Sequence, residues 1–278
     1  MGQVMKMIRL CTIDLDGTLF DKEKNISYEN RKAIQEAKKN GCKIVIASGR
    51  PLEGVSPVLQ TLNLTSDDDY VICYNGAKIL NSKTKQVISS SYITGKDVKL
   101  LYQESLRLGT FIHAFQSDET LITTMHNPYT DVEVKINHIQ DNIVDFTQIK
   151  DSDTFIKCML VGDDETITSA IKRLNPELKD KYCVVRSSKI FLEFLNPETN
   201  KGMALEKLAS YLGIGMAETM AIGDAGNDFE MIKRAEIGVA MANSFPEILK
   251  IADSITASNE ASGVAEALNS YVNHKKKQ

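Results

Sequence analysis

The chain predicts an α/β protein: a doubly wound parallel sheet carrying a smaller, inserted α+β domain. Three observations predict it. Short, continuously apolar runs alternate with helical patterns in the first and last thirds of the chain, and unbroken apolarity is what a strand covered on both faces requires. The middle drops that alternation for a helix followed by a hairpin, twice over. Four polar clusters fall where predicted strands stop, the edge at which open α/β sheets bind ligands.

Residues 7–13 read as the first strand. Ser27 is placed to cap a helix running to about Asn40, with Ala33, Ile34 and Ala37 facing inward and Gly41 closing it. Residues 43–47 and 70–73 are the next strands. Strands interleaved with helices imply βαβ units and a Rossmann-like core. Later, Leu205, Leu208, Ala209 and Leu212 fall on one helical face, stopped by Gly213. A strand at 219–222, a helix at 229–234 and a strand at 238–241 extend the same sheet. Between these parts, Val98, Leu101, Tyr102 and Leu108 mark a helix, and 110–115 and 120–124 flank a hairpin. A strand at 155–161, a helix at 165–174 and a hairpin of 182–186 with 190–195 follow. The expected division is core 1–82, insertion 83–190 and core 191–278, with an internal duplication in the insertion.

Composition limits the function classes. The 278 residues carry a formal net charge of −4, which argues against nucleic acid or an anionic membrane as partner. No apolar stretch approaches the roughly 20 residues that span a bilayer, and residues 1–7 show no signal-peptide pattern. Cys11, Cys42, Cys73, Cys158 and Cys183 are odd in number and unpaired in spacing, as expected of free thiols in a reducing cytoplasm. The four histidines are scattered, which disfavours zinc. Lys275-Lys276-Lys277 is expected to be a solvated end.

The chemistry lies in the clusters Asp14–Thr18, Ser48-Gly49-Arg50, Asn75-Gly76 and Gly223–Asp228. One sheet would bring Asp14, Asp16, Asp224 and Asp228 together. Two carboxylates about 4 Å apart repel by about 4 kcal/mol at an effective dielectric near 20, so the group calls for a cation. Oxygen donors without thiolate or imidazole favour Mg²⁺. Gly17, Gly49 and Gly226 leave backbone amides open to an anion, Thr18 and Ser48 add hydroxyls, and Lys201 adds a charge at a helix start, against the helix dipole. Each cluster alone has a plainer reading: Asp-Gly is a common turn, a lysine at a helix start can be solvated, and the 223–228 loop lacks the terminal Glu of an EF-hand. Four in order, each after a predicted strand, point to one site.

In these motifs the chain resembles the haloacid dehalogenase superfamily, and more narrowly its Cof-type class IIB phosphatases. The likeness rests on residues 13–19, 47–50, 74–77, 200–202, 223–228 and 239–243, with Ser258-Asn259 and residues 263–265 fitting the ending. It implies a phosphomonoester hydrolase in which Asp14 attacks phosphorus and Asp16 serves the leaving oxygen and then the water. It implies Mg²⁺ held by Asp14, the Asp16 carbonyl and Asp224, with Ala225 and Asp228 supporting. The phosphoryl oxygens would be held by the Leu15 amide, Ser48, Gly49, Arg50, Lys201 and Asn227, and the inserted domain would cap the substrate. Ser48 replaces the family's frequent Thr, and Gly226 replaces a frequent acid, removing one charge near the metal. Family members act on small phosphorylated metabolites: sugar phosphates, pyridoxal phosphate and flavin-related phosphates. His113, Phe115, Tyr129 and Arg186 are candidates for selectivity by residue type, with ordinary core or surface roles equally open. A sugar phosphomutase with the same aspartyl chemistry and a phospho-accepting regulatory module are the alternatives. Neither the substrate nor the oligomeric state is legible.

Overall fold

A computed structural model describes residues 7–273; the lysine run at 275–277, and residues 1–6 of the start, lie outside them. The fold is α/β with an α+β insertion. The chain divides into two compact units: one formed by residues up to Ser48, Val55–Ser89 and the chain from Asn200 on, the other by Gly49–Gly54 and Ser90–Thr199.

The first unit begins with β1 (Leu10–Ile13), α1 (Tyr28–Lys39), β2 (Lys43–Ala47), α2 (Leu52–Thr61), β3 (Tyr70–Cys73), β4 (Lys78–Asn81) and β5 (Val87–Ser90). Ser27 caps α1 by accepting from the Asn30 amide at 3.1 Å, and Gly41 follows the helix at φ +86°, as the sequence expects. The second unit holds β6 (Ile93–Thr94), α3 (Gly95–Leu108), β7 (Phe111–Gln116), β8 (Leu121–Thr123), α4 (Pro128–Asn137), β9 (Asp141–Ile143), β10 (Thr154–Val161), α5 (Asp164–Arg173), α6 (Pro176–Lys181), β11 (Cys183–Ser188) and β12 (Phe191–Leu195). The chain then returns to the first unit through α7 (Lys201–Tyr211), β13 (Thr219–Gly223), α8 (Phe229–Arg234), β14 (Ile237–Met241), α9 (Pro246–Ile251), β15 (Ser254–Thr256) and α10 (Gly263–Tyr271).

The sheet of the first unit runs β15-β14-β13-β1-β2-β3-β4-β5. Its strands are parallel from β15 to β3. The chain steps outward on one side of β1 through β2 and β3, and on the other through β13, β14 and β15, so β1 and β13 meet at the point where the strand order reverses. Leu205, Leu208, Met231, Ile232 and Ile248 from α7, α8 and α9 pack with Leu10, Val45, Ile72 and Ala221 of the strands. The antiparallel β3–β4 pair departs from the all-parallel expectation. Its cause is local: Tyr74, Asn75 and Gly76 take successive positive φ angles of 53°, 56° and 102° and reverse the chain.

The sheet of the second unit runs β11-β12-β10-β7-β8-β9, with β6 beside β10. Both expected hairpins form, β7 with β8 and β11 with β12. Phe191–Leu195 pairs with β10 and β11, so it belongs to this sheet and not to the core strands that the sequence boundary at 190 assigns it to. The return to the first unit comes at Asn200. One face of the sheet buries Ile112, Phe155, Leu160 and Phe194 against Val98, Leu101, Ile167 and Leu178 of α3, α5 and α6.

Helix α4 has no counterpart among the elements the sequence predicts, because its pattern is inverted: its buried positions include Thr130, Glu133 and Asn137, while Ile136 is exposed. Glu133 lies 3.8 Å from the buried ammonium of Lys157, which bonds Glu193 at 3.1 Å. His113 joins this interior between Thr130 Oγ1 (3.0 Å) and Met159 Sδ (3.1 Å), and burial pushes its imidazole down to about 3. Phe115 lies under the Lys157 ammonium, Tyr129 packs on Phe111, and Arg186 pairs with Asp164. All five free thiols stand unpaired, four of them buried.

Breaking a buried ion pair from one side costs about 3–5 kcal/mol, whereas replacing the whole group by apolar residues is close to neutral. Lys157→Met is therefore expected to lower the melting temperature sharply, and adding Glu133→Leu and Glu193→Leu to recover most of the loss. A single variant as stable as the wild type would remove the ion group from the account of this unit.

Candidate active site

Asp14 follows β1 directly, and its amide donates to the Ile222 carbonyl of β13 at 3.0 Å. Asp224 follows β13. The register that sets Ile13 beside Ile222 thus brings two carboxylates to one sheet edge from opposite ends of the chain. Lys201, the first residue of α7, supplies the charge between them and the loop beyond. Its ammonium bonds Asp14 Oδ1 and, at 2.7 Å, Asp228 Oδ1. Asn200 caps that helix by accepting from the Met203 amide at 2.8 Å.

Exposure shows how unusual this cluster is: Asp14 is 5% exposed, Asp224 7%, and Asp228 and Lys201 0%. Carboxylate oxygens of Asp14, Asp224 and Asp228 lie within 4.8 Å of one another. Burial raises the Asp14 pKa well above its ordinary value; Asp228 and Asp224 push the same way and Lys201 opposes them. Burial and Asp228 push Asp224 up to about 6, against a hydrogen bond from Thr18. Burial works against the Lys201 charge, but Asp14 and Asp228 outweigh it and hold its pKa above the ordinary lysine value.

The surrounding contacts assign each carboxylate a different freedom. Both oxygens of Asp228 are engaged: Oδ1 by Lys201, and Oδ2 by the amides of Asp224 (3.0 Å) and Ala225 (3.1 Å). The Thr18 hydroxyl, which the sequence pattern offers to an anion, instead donates to Asp224 Oδ1 at 2.8 Å. Asp16 is much more open, with its side chain 41% exposed and its Oδ1 on the Lys24 ammonium at 2.5 Å. Gly17 sits at φ +91°, and a Cβ there would lie 2.4 Å from Asp224 Oδ2, so both conformation and space demand glycine.

Leu15 is buried, and its carbonyl accepts from the Thr18 and Phe20 amides. Ser48 is buried at the end of β2, its carbonyl accepting from the Asn75 amide at 2.9 Å. Asn227 turns its side-chain amide onto Asn75 Oδ1 at 3.1 Å. Gly49 and Arg50 group with the second unit, where the Arg50 charge acts on Glu133. Burial raises that carboxyl, and Lys157 and then Arg50 oppose the rise. Three side chains hold the loop after β1: Asn243, donating to the Gly17 carbonyl (2.8 Å), and Asn259, donating to the Phe20 carbonyl (2.8 Å), both inside the sequence motifs but given no role there, and Lys24, which no motif singles out. Asn243 and Asn259 follow β14 and β15 at the same sheet edge.

A sequence profile of the haloacid dehalogenase-like hydrolases matches residues 11–268. The chain belongs to this family. A haloacid dehalogenase-like hydrolase from Bacteroides thetaiotaomicron superimposes with a TM-score of 0.82 at 32% identity, over 95% of this chain and 99% of that one. YxeH of Bacillus subtilis (strain 168), named provisionally as a phosphatase, is 39% identical over 269 residues, 96% of this chain and 99% of its own. YcsE of the same organism, named a 5-amino-6-(5-phospho-D-ribitylamino)uracil phosphatase, is 32% identical over 267 residues, 95% and 96% of the two chains. This haloacid dehalogenase-like hydrolase is an enzyme, and among its described residues no helix is long and apolar enough to cross a membrane.

Removing Lys201 would leave three buried carboxylates unopposed. Lys201→Met is expected to cost about 3–5 kcal/mol, the usual penalty for stranding buried charge. A buried acid whose folded pKa is raised destabilises the fold above that pKa, and the cost fades as falling pH protonates it. With Asp224 at about 6, the melting-temperature deficit of the variant should be larger at pH 8 than at pH 5. An equal deficit at both values would contradict the charge argument.

Proposed function

We propose that the chain is a magnesium-dependent phosphomonoester hydrolase that acts on a small phosphorylated metabolite through an aspartyl-phosphate on Asp14. The observation that carries this is the charge balance at the sheet edge. Three buried carboxylates face one buried ammonium, a net of two negative charges that a divalent cation would neutralise. All the donors are oxygen, which suits Mg²⁺. The relatives named as phosphatases support the reading.

Asp14 and Asp224, with the Asp16 carbonyl, would hold the ion, while Ala225 and Asp228 would shape the loop behind it. When bound, Mg²⁺ would offset the negative charge of both the site and the phosphoryl group. The nucleophile is Asp14, not Asp228, because hydrogen bonds occupy both oxygens of Asp228. An Asp14 oxygen attacks phosphorus, the ester P–O bond breaks, and the leaving oxygen takes a proton from Asp16. Asp16, now a carboxylate, removes a proton from water. The water oxygen attacks phosphorus, the bond to Asp14 breaks, and inorganic phosphate leaves with Asp14 regenerated. Lys201 steadies the charge of Asp14 and of the oxygens in flight. The Leu15 amide, Ser48, Gly49, Arg50 and Asn227 are the proposed phosphoryl contacts. Asp16 suits proton traffic because it is the most solvent-accessible acid of the group.

A steady-state screen across phosphorylated metabolites, sugar phosphates and 5-amino-6-(5-phospho-D-ribitylamino)uracil included, tests the activity. Phosphate release with Mg²⁺ is expected for some members of the panel, and none from any member would end the proposal. Asp14→Asn should abolish turnover while leaving the fold intact, and a retained rate would exclude Asp14 as nucleophile. Metal binding must displace any proton from Asp224, whose pKa is about 6. The rise in melting temperature on adding Mg²⁺ should therefore be larger at pH 7.5, about 1.5 units above that value, than at pH 5, about 1 unit below it. A shift independent of pH would place the ion elsewhere.

A further inference from the structure

Asn75 stands out beside the proposed machinery because its side-chain donor is buried and unused. The residue is 3% exposed, and Nδ2 has no hydrogen-bond partner among the described residues. Buried polar atoms are nearly always paired, so an unpaired one calls for a reason. Its partner atom Oδ1 is committed, accepting from Asn227 Nδ2 at 3.1 Å, and that bond fixes the amide plane and the direction in which Nδ2 points.

The backbone around it is held in an uphill conformation. Tyr74 and Asn75 are non-glycine residues at φ 53° and 56°, a region L-residues rarely occupy and asparagine tolerates better than most. Strain of this kind persists only where surrounding structure enforces it, and it gathers at functional sites. Here the enforcement comes from the site's own parts. The Asn75 amide is tied to the Ser48 carbonyl at 2.9 Å. Gly76 packs so closely that a Cβ would lie 2.4 Å from the Asn200 carbonyl, and Asn200 caps the helix that begins with Lys201. Asn75 is thus fastened to three neighbours, Ser48, Asn227 and the start of α7, each of which is, or adjoins, a proposed phosphoryl contact.

We propose that Asn75 is a further substrate-binding residue whose Nδ2 amide donates to an oxygen of the phosphoryl group. The inference rests on the phosphoryl-transfer reading of the site. The amide suits this role, because one end accepts from Asn227 while the other donates to an anion. Asn227 then orients Asn75 beside its own proposed contact with the phosphoryl group. Aspartate has the same shape and would keep the Asn227 bond, but it would set a negative oxygen where the donor stands. Glycine keeps the left-handed backbone and removes the amide altogether.

Calorimetric titration of inorganic phosphate into the magnesium-loaded full chain tests the proposal, with hydrolysis of p-nitrophenyl phosphate followed in parallel. A lost hydrogen bond to a charged group is expected to weaken phosphate binding about 10- to 100-fold in Asn75→Gly. Asn75→Asp should weaken it further, through repulsion, with its circular dichroism spectrum unchanged. Phosphate binding within about 2-fold of wild type, a difference well under 1 kcal/mol, in either folded variant would overturn the proposal. If Asn75→Asp does not fold, Asn75→Gly decides alone. The two readings fail separately: a wild-type chain that hydrolyses no phosphate ester sinks the functional reading, whereas an active wild type with equally active variants sinks only the role of Asn75.

Discussion

The buried ammonium of Lys201 is the interaction on which the rest of the site depends. It sits at the first position of α7, where the helix dipole opposes a positive charge, and it has no contact with water to offset its desolvation. The carboxylates of Asp14 and Asp228 keep it charged there. One of these lies 187 residues away in sequence and the other 27. The lysine therefore joins the end of β1, the start of α7 and the loop after β13, and none of the three can shift without stranding charge. The same contacts leave an excess of negative charge at the sheet edge.

That constraint passes outward through small, specific contacts. Asp228 braces the Asp224–Ala225 backbone with one oxygen while its other oxygen holds Lys201. Thr18 orients Asp224 from the loop after β1, and Asn243 and Asn259 hold that loop from the segments after β14 and β15. Gly17 lets the loop turn beside Asp224, with no room for a side chain. The second unit handles buried charge differently. Its Lys157 is balanced by Glu193 and Glu133, so that one cation faces two acids, and the polar face of α4 closes over the group.

The core strands were legible because a buried parallel strand is a local signal: β2 and β3 span the residues 43–47 and 70–73 that the apolar runs mark. The capped helix α1 and the two hairpins of the insertion were legible for the same reason, each carrying its own turn or cap. Helix α4 was not, since its buried side chains are polar and an apolar period has nothing to report. The β3–β4 reversal was hidden too, because it depends on left-handed backbone at Tyr74 and Asn75, which no side-chain pattern announces. The boundary near 190 fell short because it cut through the second expected hairpin, whose strand Phe191–Leu195 pairs with both β10 and β11.

The sequence by itself determined the inventory of the site. Asp14, Asp16, Lys201, Asp224 and Asp228 stand in short motifs at strand and helix ends, and their residue types alone specify an acidic, oxygen-donor edge with one lysine. What only the tertiary structure decided is who holds whom. Lys201 chooses Asp14 and Asp228, Thr18 serves Asp224, Asp16 pairs with Lys24, and Asn227 bonds Asn75. Most of these partners come from distant parts of the chain. Their distances follow from the β1–β13 register and from the burial that makes each unpaired charge costly, and neither quantity is written in any local stretch of residues.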